Sequence, residues 1–336
     1  MDENFSIKGS VRVLNSSFIK THVPMTRAIG LMEIAFRILS EESAYIPNRV
    51  VVSTPDDSMS IFFKPAFLNQ YNRMSIKILT QFHINSNQHI PTIKGMVLLI
   101  DMLSGQILSI SDGIYITALR TGAASGLATS YLANQDASEV AIFGCGAQGG
   151  TQLEAVLAVR KINRVLLFDP SVNQAVKLSK VVGLQNNIEC EINPGLNALK
   201  KVDIICTATP SQKPLFSLNQ LKPGVHINAI GSYRTDMQEL HPDIFKVSKT
   251  YLDDATACLK QSGDLTIPLR TGVIKIENIA GEIGELIAGS IPGRMNHDDI
   301  TVFKSVGNAV QDFFIANEAY DKSILQESVQ VINLSE

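Results

Sequence analysis

A strand-like run, Val140–Phe143, leads into Gly144-Cys145-Gly146-Ala147-Gln148-Gly149, and the residues from Ala147 to Lys161 are helix-forming. Glycines at this spacing permit a tight turn, let the backbone approach a pyrophosphate, and let a helix pack closely on a strand. The helix then points its partly positive end at the phosphates. Three glycines alone are a weak signal. Their setting is specific, because a strand precedes them, a helix follows, and the next strand, Arg164–Phe168, ends at Asp169, about 20 residues beyond the last glycine. A carboxylate there accepts hydrogen bonds from the adenosine ribose and repels a 2′-phosphate. The expected ligand is a dinucleotide, NAD(H) rather than NADP(H); the plain alternative is that Asp169 merely opens the turn before Pro170.

Lys77 stands between Ile76 and Ile78 in a strand-like run. A cation in such a run either reaches solvent or faces a functional cavity, where burial lowers its pKa enough for it to donate a proton. Cys206-Thr207-Ala208-Thr209-Pro210 and Asn228-Ala229-Ile230-Gly231-Ser232 end later strands. Ligands lie along that edge of an open α/β sheet, so these residues are expected to line the nicotinamide half, against a reading as ordinary turn chemistry. Cys145, Cys190, Cys206 and Cys258 include no close pair, and the six histidines show no HExxH spacing. No metal site is expected.

The elements that must hold these residues change character along the chain. Residues 24–44 have helical periodicity, and Arg49–Ser53, Ser60–Phe63, Met74–Leu79, Gly95–Asp101 and Gln106–Ser111 read as short strands in an antiparallel layout. From about residue 114, helices (Thr117–Leu132, Ala147–Lys161, Val172–Val182) alternate with strands (Glu139–Phe143, Arg164–Phe168, Val202–Thr207, Val225–Ile230, Tyr251–Asp253). That alternation predicts βαβ units and a doubly wound parallel sheet. Thr301–Asn317 reads as one more long helix. The fold class is therefore α/β, with an α+β part before it.

The 336 residues allow about two domains. Twenty-nine Lys and Arg against 32 Asp and Glu give a net charge of −3 with no long run of either sign, so a nucleic-acid surface is not expected. No apolar stretch approaches the ~20 residues that cross a bilayer, and the acidic amino terminus lacks a secretion-signal layout. A cytoplasmic protein without membrane partners is the expectation.

Pro47-Asn48-Arg49, Lys77, Thr117-Ala118-Leu119-Arg120-Thr121-Gly122-Ala123, Gly144-Cys145-Gly146-Ala147-Gln148 and Phe303-Lys304-Ser305-Val306-Gly307 together resemble the ornithine cyclodeaminase/mu-crystallin family, in order and over nearly the whole chain. The resemblance implies a homodimer. Each subunit would have a substrate-binding and dimerisation domain at 1–116 and 308–336 and a central NAD-binding Rossmann domain at 117–307. It implies oxidation or reduction of the C–N bond of small amino or imino acids. Arg49, Lys77 and Arg120 match the positions that hold the substrate carboxylate, and Arg120 also lies where substrate and cofactor meet. Guanidinium forks suit a carboxylate. Implied cofactor contacts are Thr92, Arg120, Gly144, Gly146, Ala147, Gln148, Gly149, Asp169, Thr207, Ala229, Ile230, Gly231, Ser232 and Ser305.

Two departures narrow the substrate. Tyr233 stands where a cyclodeaminase has an aspartate for the substrate amine, and the strand Ser60-Ile61-Phe62-Phe63 before Lys64-Pro65 lacks the glutamate found there. Both remove anions suited to a diamine. A cyclic imino acid or neutral amino acid fits better, as in a ketimine or pyrroline-2-carboxylate reductase, with catalytic Lys77, or an ordered water, protonating the nitrogen site as hydride arrives. The alternatives are ornithine cyclodeaminase itself, converting ornithine to proline and ammonia with catalytic NAD, and a non-catalytic mu-crystallin-like binding protein. Glu282 and Glu285 also fit the family pattern, with a structural or solvated role expected.

Overall fold

The computed structural model describes residues 9–41, 43–47, 49–56, 58–82, 93–183 and 188–334. In chain order, β1 (Ser10–Leu14), α1 (Ser16–His22) and α2 (Met25–Ser40) precede β2 (Val50–Ser53), β3 (Met59–Leu68), β4 (Arg73–Phe82), β5 (Ile93–Asp101), β6 (Ile107–Asp112) and α3 (Gly113–Leu132). Then follow β7 (Glu139–Phe143), α4 (Ala147–Val159), β8 (Arg164–Phe168), α5 (Val172–Gly183), β9 (Glu189–Ile192), β10 (Ile204–Thr207) and β11 (His226–Ala229). Next are α6 (Pro242–Val247), β12 (Lys249–Leu252), α7 (Ala255–Gln261), α8 (Gly263–Arg270), β13 (Ile279–Glu282), α9 (Ile283–Ile287) and β14 (Thr301–Lys304). The chain closes with α10 (Ala309–Ile324) and β15 (Gln330–Asn333). It divides into two compact units, Met1–Arg120 with Ala309–Glu336, and Thr121–Asn308. No helix among the described residues is long and apolar enough to cross a membrane.

The first unit holds a seven-stranded sheet in the order β15-β1-β6-β5-β4-β3-β2. The strands expected in an antiparallel layout, β2 to β6, pair antiparallel, and β1, which carries no signal in the sequence, joins β6 in parallel. Strand alternation divides its faces. Ala66, Leu68, Ser75, Lys77, Val97, Leu99, Ser109 and Ser111 are buried on one of them. Against it packs α10, which also touches α2. The β3–β4 hairpin turns through Asn69–Asn72, with Asn72 left-handed at φ 49°, and this turn sets Lys64 directly opposite Lys77. At the start of α3, the Asp112 carboxylate accepts from the Ile114 and Tyr115 amides, a cap that fixes where the helix begins.

The second unit is an eight-stranded sheet, β13-β12-β14-β11-β10-β7-β8-β9, in which every pairing is parallel. Alternate residues feed two cores, Val140, Ile142, Val165, Leu167 and Ile204 on one face, Ala141, Leu166, Ile205 and Ile227 on the other. Strand order reverses at β7 and β10, whose carboxyl ends define the crevice where ligands bind in such sheets. One expectation fails. Thr301–Lys304 is the central strand β14, between β11 and β12, and the tail helix begins only at Ala309. All four residues of β14 are buried, and a short run buried on both faces carries no alternation that separates strand from helix.

Candidate functional site

In the second unit the chain must turn from β7 into α4 within four residues. Gly144 does so at φ 88°, where a side chain is strained, and a Cβ there would lie 2.5 Å from the Ala208 carbonyl oxygen. A Cβ on Gly149 would come within 1.9 Å of the Gly144 oxygen. Gly146 is the opposite case: its Cβ would meet nothing within 4 Å, and with Ala147 it lies exposed at the uncapped start of α4. Two glycines hold the turn together and the third leaves open, positively polarised backbone. Gln148 adds a buried Oε1 with no partner among the described residues.

Asp169 follows β8 and is half-buried. Its Oδ2 accepts from the Cys145 amide at 2.7 Å and its Oδ1 from the Ser171 amide at 2.7 Å, so it serves the turn before Pro170 and the glycine loop together. Asn193 fixes its backbone with two hydrogen bonds of 3.1 Å. Each carboxylate oxygen keeps a lone pair for a ribose hydroxyl. This set of residues fits a dinucleotide: open amides for the pyrophosphate, then a positioned carboxylate for the ribose.

The strand-end hydroxyls make hydrogen bonds within the protein. Buried Glu239 accepts from Thr207 Oγ1 at 2.8 Å, the Thr209 amide and hydroxyl at 2.7 and 2.8 Å, and the Gly231 and Ser232 amides at 2.7 and 3.2 Å. Ser232 Oγ donates to the Met237 carbonyl, and Ser305 Oγ to Asp253 at 2.6 Å. The hydroxyls of Thr207, Ser232 and Ser305 therefore brace the ends of the strands, because each is buried beside a stronger acceptor. Ala229 and Ile230 are buried in the same stretch. Behind Glu239 sits Asp264, which accepts from the Glu239 and Leu240 amides and from Lys304 Nζ at 3.0 Å. Burial and the Asp264 carboxylate push Glu239 above the usual carboxylate range, against the pull of Lys304 and Thr209. Thr92 lies outside the described residues.

In the first unit, cations from three segments gather around one carboxylate, and Arg49 acts on one of them, Lys64. Lys77 on β4 is 1% exposed; its Nζ lies 2.6 Å from Oδ2 of Asp312, in the first turn of α10, and donates to Thr117 Oγ1 at 3.3 Å. Arg120 on α3 approaches Asp312 Oδ1 at 3.3 Å through Nε and donates from Nη1 to Gln311 Oε1 at 2.9 Å. Lys64 on β3 is half-buried opposite Lys77, and the Arg49 guanidinium lies 5.8 Å from the centre of the Phe62 ring.

This crowding sets the charges. Burial brings the Lys77 ammonium down to about 8, with Asp312 holding it up and Arg120 pushing it lower. Lys64 falls to about 7, first through burial and then through Lys77, Arg120 and Arg49, with Asp312 opposing. Burial pushes Asp312 up, yet Lys77, Arg120 and Lys64 carry it below its ordinary value. Such a cluster has a deficit of negative charge that a bound carboxylate would relieve.

The fold thus brings Lys77 and Arg120 to one carboxylate, while Arg49 is linked to them through its action on Lys64. Sequence reasoning missed Lys64, Asp312, Gln311, Glu239, Asp264 and Lys304. Lys64 was accessible through the hairpin register, and Asp312, flanked by Val310, Phe313 and Phe314, carries the same signal as Lys77, a charge in an apolar stretch. The Glu282 and Glu285 carboxylates accept from the Ala255 and Glu282 amides, so this pair caps and braces α9.

The model of the ornithine cyclodeaminase/mu-crystallin family matches residues 11–327. A delta(1)-pyrroline-2-carboxylate reductase of Bacillus thuringiensis subsp. konkukian (strain 97-27) is 33% identical over 314 residues, covering 93% of this chain and 96% of the relative. The structure of the same-named enzyme from Thermococcus litoralis, in complex with NADH and L-proline, superposes with a TM-score of 0.90 at 33% identity, covering 95% of this chain and 99% of that one. An archaeal alanine dehydrogenase dimer with bound NAD also gives a TM-score of 0.90, at 30% identity, covering 97% of this chain and 100% of that one.

Proposed function

Because this chain belongs to the ornithine cyclodeaminase/mu-crystallin family, we propose that it is an NAD(H)-dependent oxidoreductase acting on the C–N bond of a small amino or cyclic imino acid. The observation that carries the reading is the buried cluster of Lys77, Arg120 and Asp312 with Arg49 and Lys64 beside it, an anion receiver with a titratable ammonium at its centre. Arg49, Lys77 and Arg120 clamp the α-carboxylate, which fixes the reacting carbon and removes an orientational search. NAD(H), when bound, supplies or accepts the hydride. Lys77 holds the proton at Nζ that the substrate nitrogen takes up in the reductive direction, and a pKa of about 8 keeps that proton present and transferable near neutrality.

Gly144, Gly146, Ala147, Gln148 and Gly149 hold the pyrophosphate and Asp169 the ribose. The carboxylate disfavours a 2′-phosphate, so NAD(H) is preferred. Asp169→Ser is expected to weaken NADH binding about tenfold, ~1.4 kcal/mol, and to strengthen NADPH binding. Fluorescence titration with both cofactors checks this; tighter NADPH binding by the unmodified protein would refute it.

The working form is a homodimer. The outer face of the seven-stranded sheet supports this, since Phe63, Ile76, Ile78, Leu98 and Ile110 stay only half-buried and Met96 is 42% exposed. Initial-rate assays decide the chemistry. We expect NADH-dependent reduction of pyrroline-2-carboxylate or piperideine-2-carboxylate. Release of proline and ammonia from ornithine with catalytic NAD and no net NADH change would assign the chain to cyclodeamination instead.

A further inference from the structure

Among the described residues, no ion-pair partner reaches Lys64, in contrast to Lys77 and Arg120. Lys77 has Asp312 and Thr117, and Arg120 has Asp312 and Gln311. No hydrogen bond or ion pair reaches Lys64 among the described residues. Its register places it directly opposite Lys77 on the neighbouring antiparallel strand, so both side chains rise from the same face of the sheet. Like charges directly opposite one another in a sheet are destabilising. Arg49, Lys77 from β4 and Arg120 from α3 push against the Lys64 ammonium, and among the described residues Asp312 from α10 is what attracts it. Asp312 is already held by Lys77 and Arg120. One α-carboxylate satisfies the clamp made by Arg49, Lys77 and Arg120 and still leaves Lys64 facing uncompensated positive charge.

We propose that Lys64 receives a second anionic group on the substrate, so that the preferred amino or imino acid is a dicarboxylate. The inference rests on the carboxylate-clamp reading above and adds the class of side chain. A carboxylate carried beyond the α-carbon would meet a half-buried ammonium without a hydrogen-bond or ion-pair partner among the described residues, where a charge-assisted hydrogen bond is strong. A cationic side chain would be repelled by the same group. Because the free Lys64 ammonium loses its proton near pH 7, the preference for a second carboxylate should fade as pH rises.

Calorimetric titration of the NAD-saturated protein with L-alanine, L-aspartate and L-glutamate tests this without requiring turnover. At pH 6.5 we expect one of the two dicarboxylates to bind at least tenfold more tightly than alanine. The ratio should shrink in Lys64→Met, and should fall between pH 6.5 and 9 in the unmodified protein but persist in Lys64→Arg, whose guanidinium stays charged. Equal affinity for alanine and both dicarboxylates, or equal weakening of all three in Lys64→Met, would overturn the proposal. If Lys64→Met does not fold, the pH series and the arginine variant still decide it. Absence of NADH-linked turnover with every imine would refute the oxidoreductase reading while leaving this binding result intact.

Discussion

Replacing Lys77 by methionine lowers NADH-dependent turnover about 10²- to 10⁴-fold, the range that a positioned general acid contributes, while NADH affinity measured by fluorescence stays within about twofold. The two effects separate because Lys77 belongs to the seven-stranded unit and the glycine turn to the parallel sheet. Methionine nearly matches the lysine stem in volume, so the change removes charge and proton rather than packing. In the unmodified enzyme, kcat/KM in the reductive direction should fall as pH rises through about 8, because Lys77 must be protonated to donate. That limb should disappear in Lys77→Met. Unchanged turnover would remove Lys77 from the chemistry. Intact NADH binding in an unmodified protein that turns over no imine would instead support a pure binding role.

Lys304→Met is expected to destabilise the protein by about 3–5 kcal/mol, the usual consequence of removing one partner of a buried ion pair. Lys304 and Asp264 are both 0% exposed, 3.0 Å apart, and Asp264 also anchors the amides of Glu239 and Leu240. Without the ammonium, two buried carboxylates, Asp264 and Glu239, keep their hydrogen-bond donors but lose the cation that offsets their mutual repulsion, so Glu239 rises further and the ends of β10 and β11 loosen. At roughly 2–4 °C per kcal/mol for a unit of this size, Tm should drop by about 10 °C. Lys304→Met combined with Asp264→Asn should recover part of the loss, because it removes the unpaired charge as well as its partner. Thermal melts of both variants provide the check. A single variant within about 1 kcal/mol of the parent would show that the pair is not structural.

Elements with strong local signals were legible. The alternation of β7, α4, β8 and α5 and the glycine turn follow from short-range rules, since each depends on apolar periodicity or on positions that only glycine tolerates. Thr301–Lys304 was not legible as a strand, because burial on both faces erases the period. The helices α6 to α9 were missed because they are short and held by contacts such as the Ala255 amide of α7 donating to Glu282, distant in sequence.

The sequence by itself determined the parallel-sheet architecture, the glycine turn with Asp169 beside it, and the presence of a lysine in an apolar strand that had to be explained. These are properties of one segment at a time. Tertiary structure alone decided which charges share a site. It set Asp312 from the last helix against Lys77 and Arg120, placed Lys64 opposite Lys77, and turned the Thr207, Ser232 and Ser305 hydroxyls inward to brace strand ends. The physical reason is that a buried charge is governed by its neighbours in space. Lys77 and Asp312 are far apart along the chain, and their 2.6 Å pairing exists only after the seven-stranded sheet has formed and α10 has packed on it.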